Sequence, residues 1–124
     1  MLKEKINRFI QEASQDEELI EILEELMDSC GDYVAKVNEL ESAVITRRCR
    51  MEGNEYIKYI TMLGSSRIKA LNAVVANIKI LNRVCLSNCI DSPIKCDVEN
   101  SIEVEDMAIS LIDELFVTRK RYAS

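Results

Sequence analysis

The chain has 124 residues, of which 48% are hydrophobic and 31% charged, and its net charge is −6. This length can bury the core of one domain, which we place over residues 1–124. The sequence contains no histidine, the usual general base and the commonest metal ligand, which excludes Ser-His and Cys-His catalytic pairs and most zinc sites. It also carries no Gly-rich phosphate loop, so we expect no enzymatic activity and no bound cofactor or metal.

The sequence also predicts where the protein resides. No run approaches the roughly 18 apolar residues that a membrane helix needs, and the N-terminal segment MLKEKINRFIQEAS is charged throughout. The five cysteines are odd in number and scattered. We therefore expect a cytoplasmic protein with reduced thiols and no membrane association.

The first predicted elements are a short amphipathic N-terminal helix and a long second helix. Ser14-Gln15-Asp16-Glu17 has the form of a capping box, which predicts a helix start with Ser14 as the cap. The second helix then runs from about residue 16 to about 51 and remains in phase through Gly31. Its apolar residues alternate in steps of four and three, as in a coiled-coil seam: Leu19, Leu23, Leu26, Cys30, Tyr33, Val37, Leu40 and Val44.

A third long helix is predicted from about residue 55 to about 87. Glu52-Gly53-Asn54 suggests a tight turn before it, with Gly53 in the left-handed conformation and Asn54 as the N-cap. Such a short turn makes the two long helices an antiparallel hairpin. The apolar residues assigned to the face of the third helix are Ile57, Ile60, Leu63, Ile68, Leu71, Val74, Val75, Ile78, Leu81 and Val84.

After a loop over residues 87–100, the Asn100-x-x-Glu103 pair predicts the start of a C-terminal helix that extends to about residue 122. The predicted fold is therefore all-α, an antiparallel helical bundle built on a long helical hairpin with two shorter helices. Two short helices cannot cover a hairpin of this length, so we expect part of its apolar stripe to contact another subunit in a homo-oligomer.

The charge distribution singles out one cluster. Residues 1–45 carry a net charge of −8, residues 46–83 carry +6, and residues 84–124 carry −4. Arg47, Arg48, Arg50 and Arg67 lie in the basic block. They either complement the negative end of the second helix and nearby carboxylates, or form a site for a small anion or an acidic protein.

The block LESAVITRRCRMEGNEYIKYI, followed by RIKALNAVVANIKILNRV, resembles a family of small bacterial and phage-borne proteins of unknown function. The resemblance covers about Met1 to Cys85, and its most specific part is an Arg-x-Arg-x-Glu-Gly pattern on Arg48, Arg50, Glu52 and Gly53. It implies an all-helical fold and no particular activity.

These observations favour a non-enzymatic interaction or oligomerisation module, possible partners being itself or another protein. The alternative is binding of a small phosphorylated, nucleotide-like ligand at the arginine cluster. We do not expect nucleic-acid binding, because the isoelectric point is near 4.8. Cys85, Cys89 and Cys96 match no common zinc or iron–sulfur spacing, so we expect them to be structural.

Overall fold

A computed structural model describes residues 2–45 and 53–117, and all regular elements in these two ranges are helical. The helices are α1 (Leu2–Glu12), α2 (Glu17–Ile45), α3 (Gly53–Ser87) and α4 (Ser101–Ile112), and a π-helical turn (Asp113–Val117) continues α4. Helices α2 and α3 pack closely along each other. This arrangement confirms the predicted all-α bundle built on a long helical hairpin.

The predicted helix ends near residues 51 and 122 lie outside the described residues, which do not include 46–52 or 118–124. The predicted end of the third helix at 87 is confirmed by α3, which ends at Ser87. None of the helices in the described ranges combines the length and the apolar character that would let it span a bilayer.

Two of the predicted helix starts were wrong in detail. Asp16, not Ser14, caps α2, because its Oδ1 accepts a hydrogen bond from the backbone N–H of Leu19 at 3.2 Å. Gly53 and Asn54 already belong to α3, and no glycine in the described ranges has a positive φ. The predicted start of α4 is confirmed, since Asn100 Oδ1 accepts from the N–H groups of Ile102 and Glu103 at 3.1 and 3.2 Å.

The core lies at the end of the hairpin that is remote from the α2–α3 connection. There α1, α4 and the loop between α3 and α4 pack onto the hairpin. Its largest fully buried side chains are Leu19, Leu26, Ile78, Leu81, Ile94, Leu111, Val74, Val104, Cys30 and Cys85. Ser29 on α2 accepts a hydrogen bond from the amide of Asn77 on α3 at 3.1 Å, which joins the two long helices at this level.

The short elements are held to the core by specific contacts. The backbone N–H of Lys3 donates to Glu114 Oε1 at 3.2 Å, which joins α1 to the π-helical turn. Asn82 on α3 is buried, and its amide nitrogen donates to the carbonyl of Ile94 at 3.2 Å. This bond, together with the complete burial of Ile94, holds the α3–α4 loop against α3.

Candidate functional site

Few of the described side chains are buried in the half of the hairpin nearest the α2–α3 connection. We call it the distal arm and define it as residues 33–45 of α2 and 53–69 of α3. Buried residues on α2 end at Cys30, and Leu63 is the single buried residue among those of α3 before Ala70. Helices α1 and α4 have 11 and 12 residues, or about 16 and 18 Å, whereas α3 has 35 residues, or about 52 Å.

Large apolar side chains are exposed on this arm. Val44 and Ile45 on α2 are 53% and 77% exposed, and Ile57 and Ile68 on α3 are 63% and 55% exposed. The sequence assigned Ile57 and Ile68 to the face of the third helix that packs in the hairpin, and the structure shows that both point largely to solvent. Apolar residues in this setting are typical of a surface that another chain covers.

Ile57 and Ile68 of α3 belong to a second, mostly apolar seam that the sequence pattern did not separate from the first. It alternates in steps of four and three: Ile57, Thr61, Gly64, Ile68, Leu71 and Val75. At about 100° per residue, its centre lies roughly 100° around the helix from the buried face that includes Leu63 and Val74. The heptad spacing was visible in the sequence, but only the burial pattern separates the two faces.

Gly64 lies near the middle of this second seam and is only partly buried. A Cβ atom built on Gly64 would meet no atom within 4 Å, so packing within the chain does not require a glycine here. Glycine inside a helix costs about 1 kcal/mol relative to alanine. A glycine that the chain itself does not need allows a second helix to approach closely at this point.

The two helices of the hairpin carry opposite charge. Helix α2 contains nine acidic residues and one lysine, while α3 contains one acidic residue and five basic residues. Within the described ranges, however, the one ion pair is Arg83–Glu99, at 3.9 Å between two exposed side chains. Helices of opposite charge can attract a partner of complementary charge.

Of the four arginines predicted as a site, the structure describes only Arg67, since Arg47, Arg48 and Arg50 lie outside the described residues. Arg67 is half-buried on α3 within the distal arm, and its Nε is buried without a hydrogen-bond partner. Leaving a buried donor unsatisfied costs about 1–3 kcal/mol. A hydrogen-bond acceptor supplied to Arg67 Nε by a ligand or partner would remove this cost.

Among the described residues, no group of three His, Cys, Asp or Glu side chains is arranged to hold a metal ion. The described cysteines Cys30, Cys85, Cys89 and Cys96 are all free thiols. Burial raises the pKa of Cys30 to about 12, so this thiol is neutral and packs as part of the core.

A protein-family model described as a protein of unknown function (DUF3232) matches residues 2–121. The chain belongs to this family. The match confirms the predicted membership of a family of unknown function. It extends well beyond Cys85, so the predicted extent of the resemblance was wrong. No curated protein and no solved structure matches the chain.

Proposed function

We propose that this chain is a non-enzymatic interaction module that associates with a second copy of itself through the distal arm. The observation that carries the proposal is the second seam of α3, with Ile57 and Ile68 more than half exposed. An isolated chain would leave Ile57 and Ile68 largely in water, and covering them would contribute about 25 cal/mol for each Å² of apolar surface removed from water.

The angle between the two apolar faces of α3 favours a four-helix arrangement. In a four-helix bundle each helix contacts two neighbours, which lie roughly at right angles as seen along its axis. The buried face of α3 contacts α2 of the same chain, and its second seam is directed about 100° away. A second hairpin packed on that seam would complete a four-helix bundle in the distal arm.

Charge favours a second copy as the occupant over an unrelated apolar partner. In a bundle of two hairpins related by a two-fold axis, each basic α3 can lie beside the acidic α2 of the other copy. Lys58 and Lys69 are exposed on α3 of the arm, and Glu39 and Glu41 are exposed on α2. This alternation of charge around the bundle would steer association and disfavour contact between two like helices.

The test measures mass in solution by sedimentation. We expect the wild-type chain to sediment at twice its 14.2 kDa mass and to dissociate on dilution. The double variant Ile57→Ser/Ile68→Ser should sediment as a monomer with unchanged helix content. The matched control is Ile102→Ser, because Ile102 on α4 is also an isoleucine and is 70% exposed but lies outside the distal arm. A monomeric wild-type chain at the highest soluble concentration would refute the proposal.

A second candidate function is binding of a small phosphorylated ligand by Arg47, Arg48, Arg50 and Arg67. The observation that favours it is the buried Nε of Arg67, which has no acceptor, since guanidinium groups bind phosphate oxygens strongly. Ligand capture predicts that nucleotides raise the melting temperature, and that the Arg48→Ala/Arg50→Ala variant loses this effect. If no nucleotide shifts the melting temperature, this second candidate is excluded, while the self-association test remains unaffected.

A further inference from the structure

Three of the four cysteines in the described ranges line one cavity at the end of α3. The cavity has a volume of about 390 Å³ and is formed by the last turns of α3 and the α3–α4 loop. Cys85, Cys89 and Cys96 all contribute to its lining, together with Asn82, Leu86 and Lys95. The self-association proposed above does not use this cavity, which belongs to the opposite half of the hairpin.

Cys89 occupies an unusual backbone position at the rim of this cavity. Its φ is 56°, and it is the sole non-glycine residue with a positive φ in the parts of the chain that the structure describes. The backbone N–H of Ile90 donates to the carbonyl of Cys85 at 2.8 Å, which closes the end of α3 as in a Schellman motif. Glycine is the usual residue at this position, since a side chain there costs about 1–2 kcal/mol, and Cys89 is exposed.

Cys96 lies in a segment of the same loop that has no helical backbone, and it is half-buried. Its Sγ accepts a hydrogen bond from Asn82 Nδ2 at 3.6 Å. Asn82 also donates to the carbonyls of Ile78 and Ile94, at 3.1 and 3.2 Å. Because the bond to Ile94 and the burial of Ile94 hold the loop, the Cys96 side chain can change rotamer without releasing the loop from α3.

We propose that Cys89 and Cys96 form a site of oxidative modification, in which the two thiols are converted into one disulfide by a low-molecular-weight disulfide. The Cys89 thiolate attacks one sulfur of the small disulfide and displaces a small thiolate. The Cys96 thiolate then attacks the Cys89 sulfur and displaces the second small thiolate. The two small thiolates take up the two protons lost by the protein, and two electrons pass from the protein to the small disulfide.

The roles of the two thiols follow from access and from backbone freedom. Cys89 reacts first because it is exposed, whereas Cys30 and Cys85 are buried. Cys85 is within helix α3 and cannot shift its backbone without breaking helical hydrogen bonds, while Cys96 lies in the loop. Burial, with Glu103 and Asp97, raises the pKa of Cys96, so the second step should accelerate as the pH rises above neutrality.

The experiment uses the full chain with Cys49→Ser, because Cys49 lies outside the described residues and would add a further thiol. The protein is incubated with oxidised glutathione, alkylated, and digested without reduction. Trypsin cleaves after Lys95, between the two cysteines, so a disulfide appears as two linked peptides in mass spectrometry. We expect this linked pair in the Cys49→Ser protein and its disappearance after reduction.

Three variants in the same background assign the bond. Cys85→Ala should retain the linked peptides, whereas Cys89→Gly and Cys96→Ala should both lose them. Cys89→Gly is a suitable replacement because glycine adopts the left-handed backbone without strain. Absence of the linked peptides in the Cys49→Ser protein, or their loss in Cys85→Ala together with retention in Cys89→Gly, would overturn the proposal.

A second measurement does not depend on mass spectrometry. The disulfide would close a short loop and restrict the unfolded chain, so the oxidised Cys49→Ser protein should melt several degrees above its reduced form. The Cys96→Ala variant should show no such difference between oxidising and reducing conditions. An equal difference in Cys96→Ala would show that the stabilisation has another source and would contradict the assignment.

Discussion

Two isoleucines on α3 provide a direct test of the division between the core and the distal arm. Ile78 is completely buried and Ile68 is 55% exposed, yet both lie in the interior of the same helix. We consider the substitutions Ile78→Ala and Ile68→Ala, which remove the same atoms from the same type of backbone. Any difference between the two variants therefore reports packing and not helix propensity.

The expected magnitudes follow from burial. Ile78→Ala removes a side chain from a closed core and leaves a cavity, which costs about 2–5 kcal/mol in the free energy of unfolding. For Ile68 less than half of the side chain is covered, so the lost transfer free energy is below about 1.5 kcal/mol. The higher helix propensity of alanine returns a few tenths of a kcal/mol. In the monomer, Ile68→Ala should thus cost less than about 1 kcal/mol.

The assay is urea unfolding followed by far-UV circular dichroism at several protein concentrations. At low concentration Ile78→Ala should show a large loss of stability and Ile68→Ala a small one. The stability of the wild-type protein and of Ile78→Ala should increase with concentration, because association stabilises the folded chain, and Ile68→Ala should lose this dependence. Equal destabilisation by the two substitutions at low concentration would refute the description of Ile68 as an exposed residue.

Three further predictions concern other parts of the molecule. Asn100→Ala removes the side chain that caps α4 and should cost about 1 kcal/mol of unfolding free energy in urea titration; a change near zero would contradict the cap. Burial raises the pKa of Cys30 from 9.0 to about 12, so above pH 9 the unfolded chain loses a proton that the folded chain retains. The contribution of Cys30 to the free energy of unfolding should therefore fall by about 1.4 kcal/mol per pH unit between pH 9 and 12. The free energy of unfolding of a Cys30→Ala variant, titrated in parallel, should fall less steeply. Gly64→Ala and Gly31→Ala should each stabilise the monomer by about 1 kcal/mol, since both positions have open space, but in sedimentation only Gly64→Ala should weaken self-association.

The local elements were predictable because their signals lie within a few residues of one another. The four-and-three spacing from Leu19 onward predicted α2, and it correctly carried the helix through Gly31. Asn100 was recognised as a cap because its oxygen needs only the next two or three backbone N–H groups. Ser14 was the wrong cap for α2, since Asp16 offers a competing carboxylate two residues later, and a sequence pattern alone does not decide between two adjacent acceptors.

The candidate site was predictable only in part. Arg67 was selected from its place in a basic block, but the burial of its unpartnered Nε is a property of the folded chain that the charge pattern does not indicate. The apolar residues of the third helix were assigned to one face, and their spacing fits two faces equally well. Cys89 and Cys96 of the α3–α4 loop were predicted to be structural from their spacing alone. The cavity that they share forms only when residues 88–100 fold back onto α3, so the spacing did not indicate it.

By itself, the sequence determined the helices, the hairpin and the strongly opposed charges of α2 and α3, because periodicity, capping and charge are properties of neighbouring residues. Only the tertiary structure decided which apolar faces become buried. That outcome depends on where the short helices α1 and α4 end against the hairpin, which no local pattern encodes. The core therefore closes around Cys30, Ile78 and Leu81, while the same type of apolar spacing near Ile57 and Ile68 remains exposed to solvent.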